Sequence, residues 1–175
     1  MYVVIMNFFS FFENKNFFSI LLILLLTLSR LIPHPPNFTP IIAIAVMSGF
    51  LFRNIYYSLT LLIISMLLSD LIIGYHNNIF FVYFPLIFIT TIFSFFFTKL
   101  NFKNLFFYAF TGSLIFFVIS NFGVWLLGNL YEKNLNGLLS CYILAIPFFK
   151  NTLFSTIIFT YSTFTANYYY NKKNC

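Results

Sequence analysis

Charge is what this sequence lacks most. Only 7% of its 175 residues are Asp, Glu, Lys or Arg, and only three are acidic, where a soluble domain carries roughly a quarter charged residues. That deficit excludes a water-soluble globular fold. The nine basic residues are scattered singly, so the net charge of +6 is no nucleic-acid footprint. Two cysteines, Cys141 and Cys175, make no disulfide framework. No P-loop, GxSxG, HExxH or HxxxH spacing occurs, and no span holds a pair of carboxylates. An enzyme is therefore not expected, and neither is a cofactor. Energy for any transport would have to come from a partner or an ion gradient. The first twelve residues have no basic lead, which makes them a poor signal peptide, and no fixed repeat runs through the chain.

What is present is oil: 61% of the residues are hydrophobic. The chain reads as an all-α integral membrane protein with one domain, whose partner is the lipid bilayer. Six membrane-spanning helices are predicted, at about 17–32, 40–52, 55–74, 79–98, 105–127 and 148–168. Residues 1–16 read as an interfacial lead-in, 17–170 as the six-helix domain and 171–175 as a short basic tail. A short helical or re-entrant piece, broken at Pro147, is expected before the last span.

Between the first two spans lies RLIPHPPNFTP, residues 30–40. Proline fixes φ and has no N–H, and it pushes the residue before it towards extended geometry. Pro33, Pro35 and Pro36 thus predict a stiff, non-helical strap. Thr39 and Pro40 read as the N-cap and first residue of the next helix. That helix has about thirteen residues, roughly 20 Å at 1.5 Å each, short of the ~30 Å hydrocarbon core. The strap should therefore dip into the membrane, where irregular backbone persists only against protein or a water-filled cavity. Ala45 and Gly49 form a small-residue face for close helix packing.

The positive-inside rule orients the spans. Lys15, Arg53, Lys99, Lys103, Lys172 and Lys173 fall on one side, and Arg30, Lys133 and Lys150 on the other. Both termini are then expected in the cytoplasm. The strap, Asp70 and His76, Asn121 and Trp125, and Lys150 and Asn151 all fall at the outer end. Cys141 and Cys175 fall on opposite sides and are not expected to pair.

Asp70 is the only carboxylate within a predicted span. A lone intramembrane carboxylate needs a partner, and Arg30, His34 and Lys150 are the candidates. Asn121 and Trp125, four apart, share a helix face, as do Asn151 and Ser155. The expected substrate-binding set is Arg30, His34, Asn37, Asp70, Asn121, Trp125, Lys150 and Asn151, with Trp125, Phe122 and Tyr83 as wall residues. His34, His76 and Asp70 could in principle hold a metal, but without metal-binding spacing none is expected. The bland alternative is an accessory or structural membrane protein whose polar cluster only staples helices together.

The segments SRLIPHPPNFTPI, LLSDLIIGYH, FVY, FFVISNFGVW and AIPFFKNT resemble the motif series of a bacterial membrane-protein family without an assigned function, over about residues 29–152. That family is in turn similar to the substrate-binding S components of energy-coupling factor (ECF) transporters. The resemblance implies a six-helix S-component-like bundle in the bacterial cytoplasmic (inner) membrane, with both termini inside. It also implies a small-molecule or micronutrient site near the outer face, and a transmembrane coupling subunit with ATPases as partners. No vitamin-binding motif is matched, so the resemblance supplies neither substrate nor ligand residues.

Overall fold

The structure is a computed structural model that describes residues 15–52, 54–75, 78–96 and 101–173. The described residues form six α-helices: α1 (Lys15–Leu31), α2 (Ile41–Leu51), α3 (Ile55–Ile73), α4 (Ile79–Phe96), α5 (Leu105–Leu127) and α6 (Leu135–Lys173), with a 3-10 turn at Phe102–Asn104 before α5. Most of the expected lead-in, residues 1–14, lies outside the described residues, as do Arg53, His76, Lys99 and Cys175. The backbone of 171–173, expected in a separate tail, continues α6.

Helices α3, α4, α5 and α6 are each long and apolar enough to cross a membrane. No more than 39% of any of their apolar windows is buried, so most of these side chains face outward. Such a surface is costly in water and natural in lipid. Helices α1 and α2 have 17 and 11 residues, or roughly 25 and 16 Å. Among the described residues, then, four of the six helices are long and apolar enough to qualify as spans.

The helices other than α2 pair side by side in chain order: α1 with α3, α3 with α4, α4 with α5 and α5 with α6. Short α2 packs against α3, α4, α5 and α6. Every residue from Ile41 to Gly49 is buried, and the core forms around Ile42, Ile44, Val46, Leu62, Met66, Ile89 and Phe93. The sequence IIAIAVMSGFL explains the placement. A helix that is apolar all round has no face for water and suits the centre of a bundle. Its single hydroxyl, Ser48, is satisfied by the Thr90 carbonyl at 3.2 Å and by Ser94 at 3.0 Å. The small-residue face also behaves as expected, since Gly49 lies against the backbone of α4 at Phe93 and Ser94.

Two local expectations are corrected. Helix α2 starts at Ile41 with Pro40 at the N-cap in helical geometry. Pro40 has no N–H, but its carbonyl accepts from Ile44 at 3.0 Å, so the helix gains its first bond one residue later than Thr39–Pro40 suggested. Helix α6 is not broken at Pro147; it is one helix of 39 residues with that proline inside. A proline removes a single intrahelical bond, which continuous packing of α6 along α5 offsets. The Tyr142 hydroxyl donating to the Val118 carbonyl at 2.7 Å is part of that contact.

Candidate functional site

The strap makes its sharp reversal at Pro35–Phe38, closed by a bond from the Phe38 N–H to the Pro35 carbonyl at 3.0 Å. Pro36 occupies the second turn position, where a φ near −65° is wanted. Asn37 occupies the third at φ 63°, a left-handed value that asparagine tolerates better than most residues. His34 Nδ1 lies 2.6 Å from the Ile32 carbonyl. A carbonyl only accepts, so Nδ1 carries the proton and Nε2 is left for other partners. Two contacts tie the strap to α6: Asn151 Nδ2 donates to the Pro36 carbonyl at 3.1 Å, and the Phe38 ring meets Phe159 edge-on at 6.2 Å. Asn151 sits roughly 24 Å along α6 from Leu135. The strap therefore meets α6 well short of its start, and the α5–α6 hairpin extends past it.

Behind the strap, three helices are joined by a charged cluster. Arg30, in the last turn of α1, stands 2.7 Å from Asp70 Oδ1 on α3, in an ion pair without hydrogen-bond geometry. Its Nη1 also donates to Ser69 Oγ and, at 3.2 Å, to the Met66 carbonyl. The other carboxylate oxygen of Asp70 accepts from the Tyr83 hydroxyl of α4 at 2.7 Å. One turn further along the α1–α3 seam, Thr27 Oγ1 donates to the Ser65 carbonyl at 3.3 Å. Residues 66, 69 and 70 reach a common partner because positions three and four apart share a helix face. Asp70 is 5% exposed and Arg30 17%, so the pair is largely withdrawn from solvent. Of the three candidate partners for Asp70, Arg30 is the one that meets it.

Between strap and cluster is a partly open cavity of about 140 Å³. Its polar lining comes from Arg30, His34, Asn37 and Thr39. Its apolar lining comes from Ile41 and Ile42 at the start of α2, Met66 of α3, Val82 and Leu86 of α4, and Phe116 of α5. A smaller, wholly apolar recess lies between α3 and α4 and includes Tyr83.

The expected site residues thus separate into three groups. Arg30, His34 and Asn37 line the cavity. Asp70 and Asn151 stand behind it, one holding Arg30 and the other the strap. Asn121, Trp125 and Lys150 do not line it, nor do the wall candidates Trp125, Phe122 and Tyr83. The reason is angular. Asn121 is five residues beyond Phe116, or about 140° around the α5 axis. Its Nδ2 bonds its own helix at the Phe117 carbonyl, and its carbonyl accepts from Cys141 Sγ. Trp125 Nε1 donates to the Glu132 carbonyl at 2.9 Å. Lys133 Nζ lies over the Trp125 ring and bonds the carbonyls of Trp125 and Gly128, which satisfies the C-terminus of α5. Asn121 and Trp125 thus serve the α5–α6 hairpin, and Lys150 is exposed on α6. Ser155 bonds the Thr152 carbonyl within α6.

Several residues at this site were not anticipated: Thr39, Ser69, Met66, Val82 and Phe116. Of these, only Ser69 carried a sequence signal, as the neighbour of Asp70 and one turn beyond Ser65. No group of three or more His, Cys, Asp or Glu side chains that could hold a metal ion occurs among the described residues.

No curated protein and no solved structure matches this chain. One family model does, over residues 11–174: a family of unknown function, DUF6580. It contains the strap, both halves of the ion pair and every helix described above, and the chain belongs to that family.

Proposed function

We propose that this protein is a membrane-embedded small-molecule binding protein that acts as, or like, the S component of a transporter. The cavity beneath the strap carries the reading. Ligand sites are concave and mainly apolar, with a few polar groups that converge, and this cavity has four polar side chains over an apolar floor. Its volume is modest. A buried cavity of ~150 Å³ holds benzene, so about 140 Å³ suits a ligand near that size, or a larger one if the strap lifts. The test is native mass spectrometry of the protein extracted in its own lipids. A co-purified small molecule is expected, and it should be lost from Val82→Trp, whose indole would fill the cavity. A ligand retained by that variant, or none in the unaltered protein, would overturn the reading.

Six spans, cytoplasmic termini and an outward-facing site complete the proposal. The division of basic residues supports the orientation, and the strap would occupy the depth that short α2 leaves. A cysteine engineered at Glu132 should then react with an impermeant thiol reagent applied to intact cells, and Cys175 should not. Labelling of Cys175 would reverse the orientation. The reading as an ECF S component rests on the similarity of the family to those proteins and on the expected six-span topology, and co-purification with a coupling subunit and ATPases would extend it to transport. A second, structural reading is favoured by one observation. Asp70 has both oxygens engaged, by Arg30 and Tyr83, and does not line the cavity, which is how a staple between α1, α3 and α4 would look.

A further inference from the structure

The cavity has a chemical bias that the binding proposal leaves open, and the following inference rests on that proposal. We propose that the cavity takes a small carboxylic acid as its anion, with the carboxylate towards Arg30 and the start of α2 and an apolar tail on the floor.

Two independent features favour an anion. The first is Arg30. A guanidinium presents its N–H donors as a fork that fits a carboxylate in bidentate fashion. All bonds from Arg30 to the cluster leave from Nη1, and its Nε and Nη2 meet no acceptor among the described residues. Arg30 is also the one charged side chain that lines the cavity. The second feature is the start of α2. The first N–H groups of a helix have no intrahelical acceptor and need a cap, water or a ligand. Here Pro40 provides no side-chain cap, and the N–H groups of Ile41, Ile42 and Ala43 meet no acceptor among the described residues. All three residues are buried, at 4%, 6% and 0% exposed, and two of them line the cavity. The helix dipole adds a partial positive charge at this end.

Other ligand classes fit less well. A cation would face Arg30 with no carboxylate in the lining to offset it, since Asp70 lies outside the cavity. A bare inorganic anion would leave Ile42, Met66, Val82, Leu86 and Phe116 in contact with nothing apolar. A carboxylate on a benzene-sized or short branched tail uses both halves. Asp70 already balances the charge of Arg30, so the ligand's charge is met mainly by hydrogen bonds and the α2 dipole. His34 Nε2 and the side chains of Asn37 and Thr39 supply further polar contact at the mouth.

The experiment uses the full chain in lipid nanodiscs and four probes: benzoate, benzamide, benzylamine and inorganic phosphate. Calorimetry or ligand-observed NMR should show benzoate binding about tenfold or more tighter than benzamide, with benzylamine and phosphate weaker still. Val82→Trp should abolish benzoate binding. Removing Arg30 alone risks unfolding by stranding Asp70, so the charge is tested in the paired variant Arg30→Gln with Asp70→Asn. Thermal unfolding confirms that this variant is folded, and its preference for benzoate over benzamide should fall towards unity. Benzamide or benzylamine binding as tightly as benzoate, and lost in Val82→Trp, would overturn the carboxylate assignment while leaving the cavity a binding site. Phosphate matching benzoate would overturn the need for an apolar tail. Benzoate binding unchanged by Val82→Trp would overturn the location. Failure of all four probes would overturn the proposal, and the ligand search by native mass spectrometry would then judge the binding reading by itself.

Discussion

Asp70→Ala is expected to lower stability by about 3–5 kcal/mol, the range seen when one partner of a buried ion pair is removed. The loss is large because the variant strands a charge. Arg30 is 17% exposed, and without Asp70 its guanidinium keeps only a serine hydroxyl and a backbone carbonyl as acceptors. Tyr83 loses its acceptor as well. Replacing both charges together, as Arg30→Met with Asp70→Leu, should recover most of the loss, because neither charge then has to be desolvated. Thermal or denaturant unfolding in nanodiscs measures both variants. Asp70→Ala within about 1 kcal/mol of the unaltered protein, the scale of an exposed pair, would mean that the pair does not hold α1 to α3. The same paired variant separates two roles of the cluster in a protein that binds a ligand. If the cluster is only a staple, a co-purified ligand survives the replacement; if Arg30 reads the ligand, it does not.

Gly49→Ala is expected to force α2 and α4 apart. A Cβ at Gly49 would fall onto the Phe93 carbonyl oxygen and come within 2.9 Å of Ser94 Cα. These are backbone atoms of α4, so relief requires α2 and α4 to separate. Overpacking of this kind costs about 1–3 kcal/mol, and valine should cost more than alanine. Gly112 provides the contrast. There an added Cβ meets the Val46 side chain, so Gly112→Ala should be rescued by Val46→Ala. No comparable second change should rescue Gly49→Ala. Unfolding midpoints of the four variants make the comparison. Gly49→Ala with the stability of the unaltered protein would show slack between α2 and α4.

The unevenness of the sequence reading follows from what each signal measures. Helix positions came from apolar run length and from polar or proline interruptions, which are local. The limits of α3 and α5 therefore lie within one residue of expectation, as does the start of α4, whose expected end at 98 lies outside the described residues. The break assigned to Pro147 failed because a proline's cost is local while the packing of α6 on α5 is not. The expected site was read from which end of the bundle each residue would occupy. That coordinate is one-dimensional. It grouped Arg30, His34, Asn37, Asp70 and Asn151 usefully, but it also admitted Asn121, Trp125 and Lys150, which lie on other faces.

From the sequence alone came an apolar, helical chain too poor in charge for water, a proline strap, a second helix too short to cross and a carboxylate in need of a partner. Each depends on composition or on neighbours in the chain. The tertiary structure decided that α2 is the core of the bundle, because only packing shows that α3, α4, α5 and α6 surround it. It also decided that Arg30, rather than His34 or Lys150, meets Asp70. That choice depends on the rotation of α1 against α3, with Thr27 and Ser65 one turn away along the same seam. The cavity arises in the same way: its lining is drawn from the strap and five helices, and the angle at which each residue leaves its axis exists only once the bundle has closed.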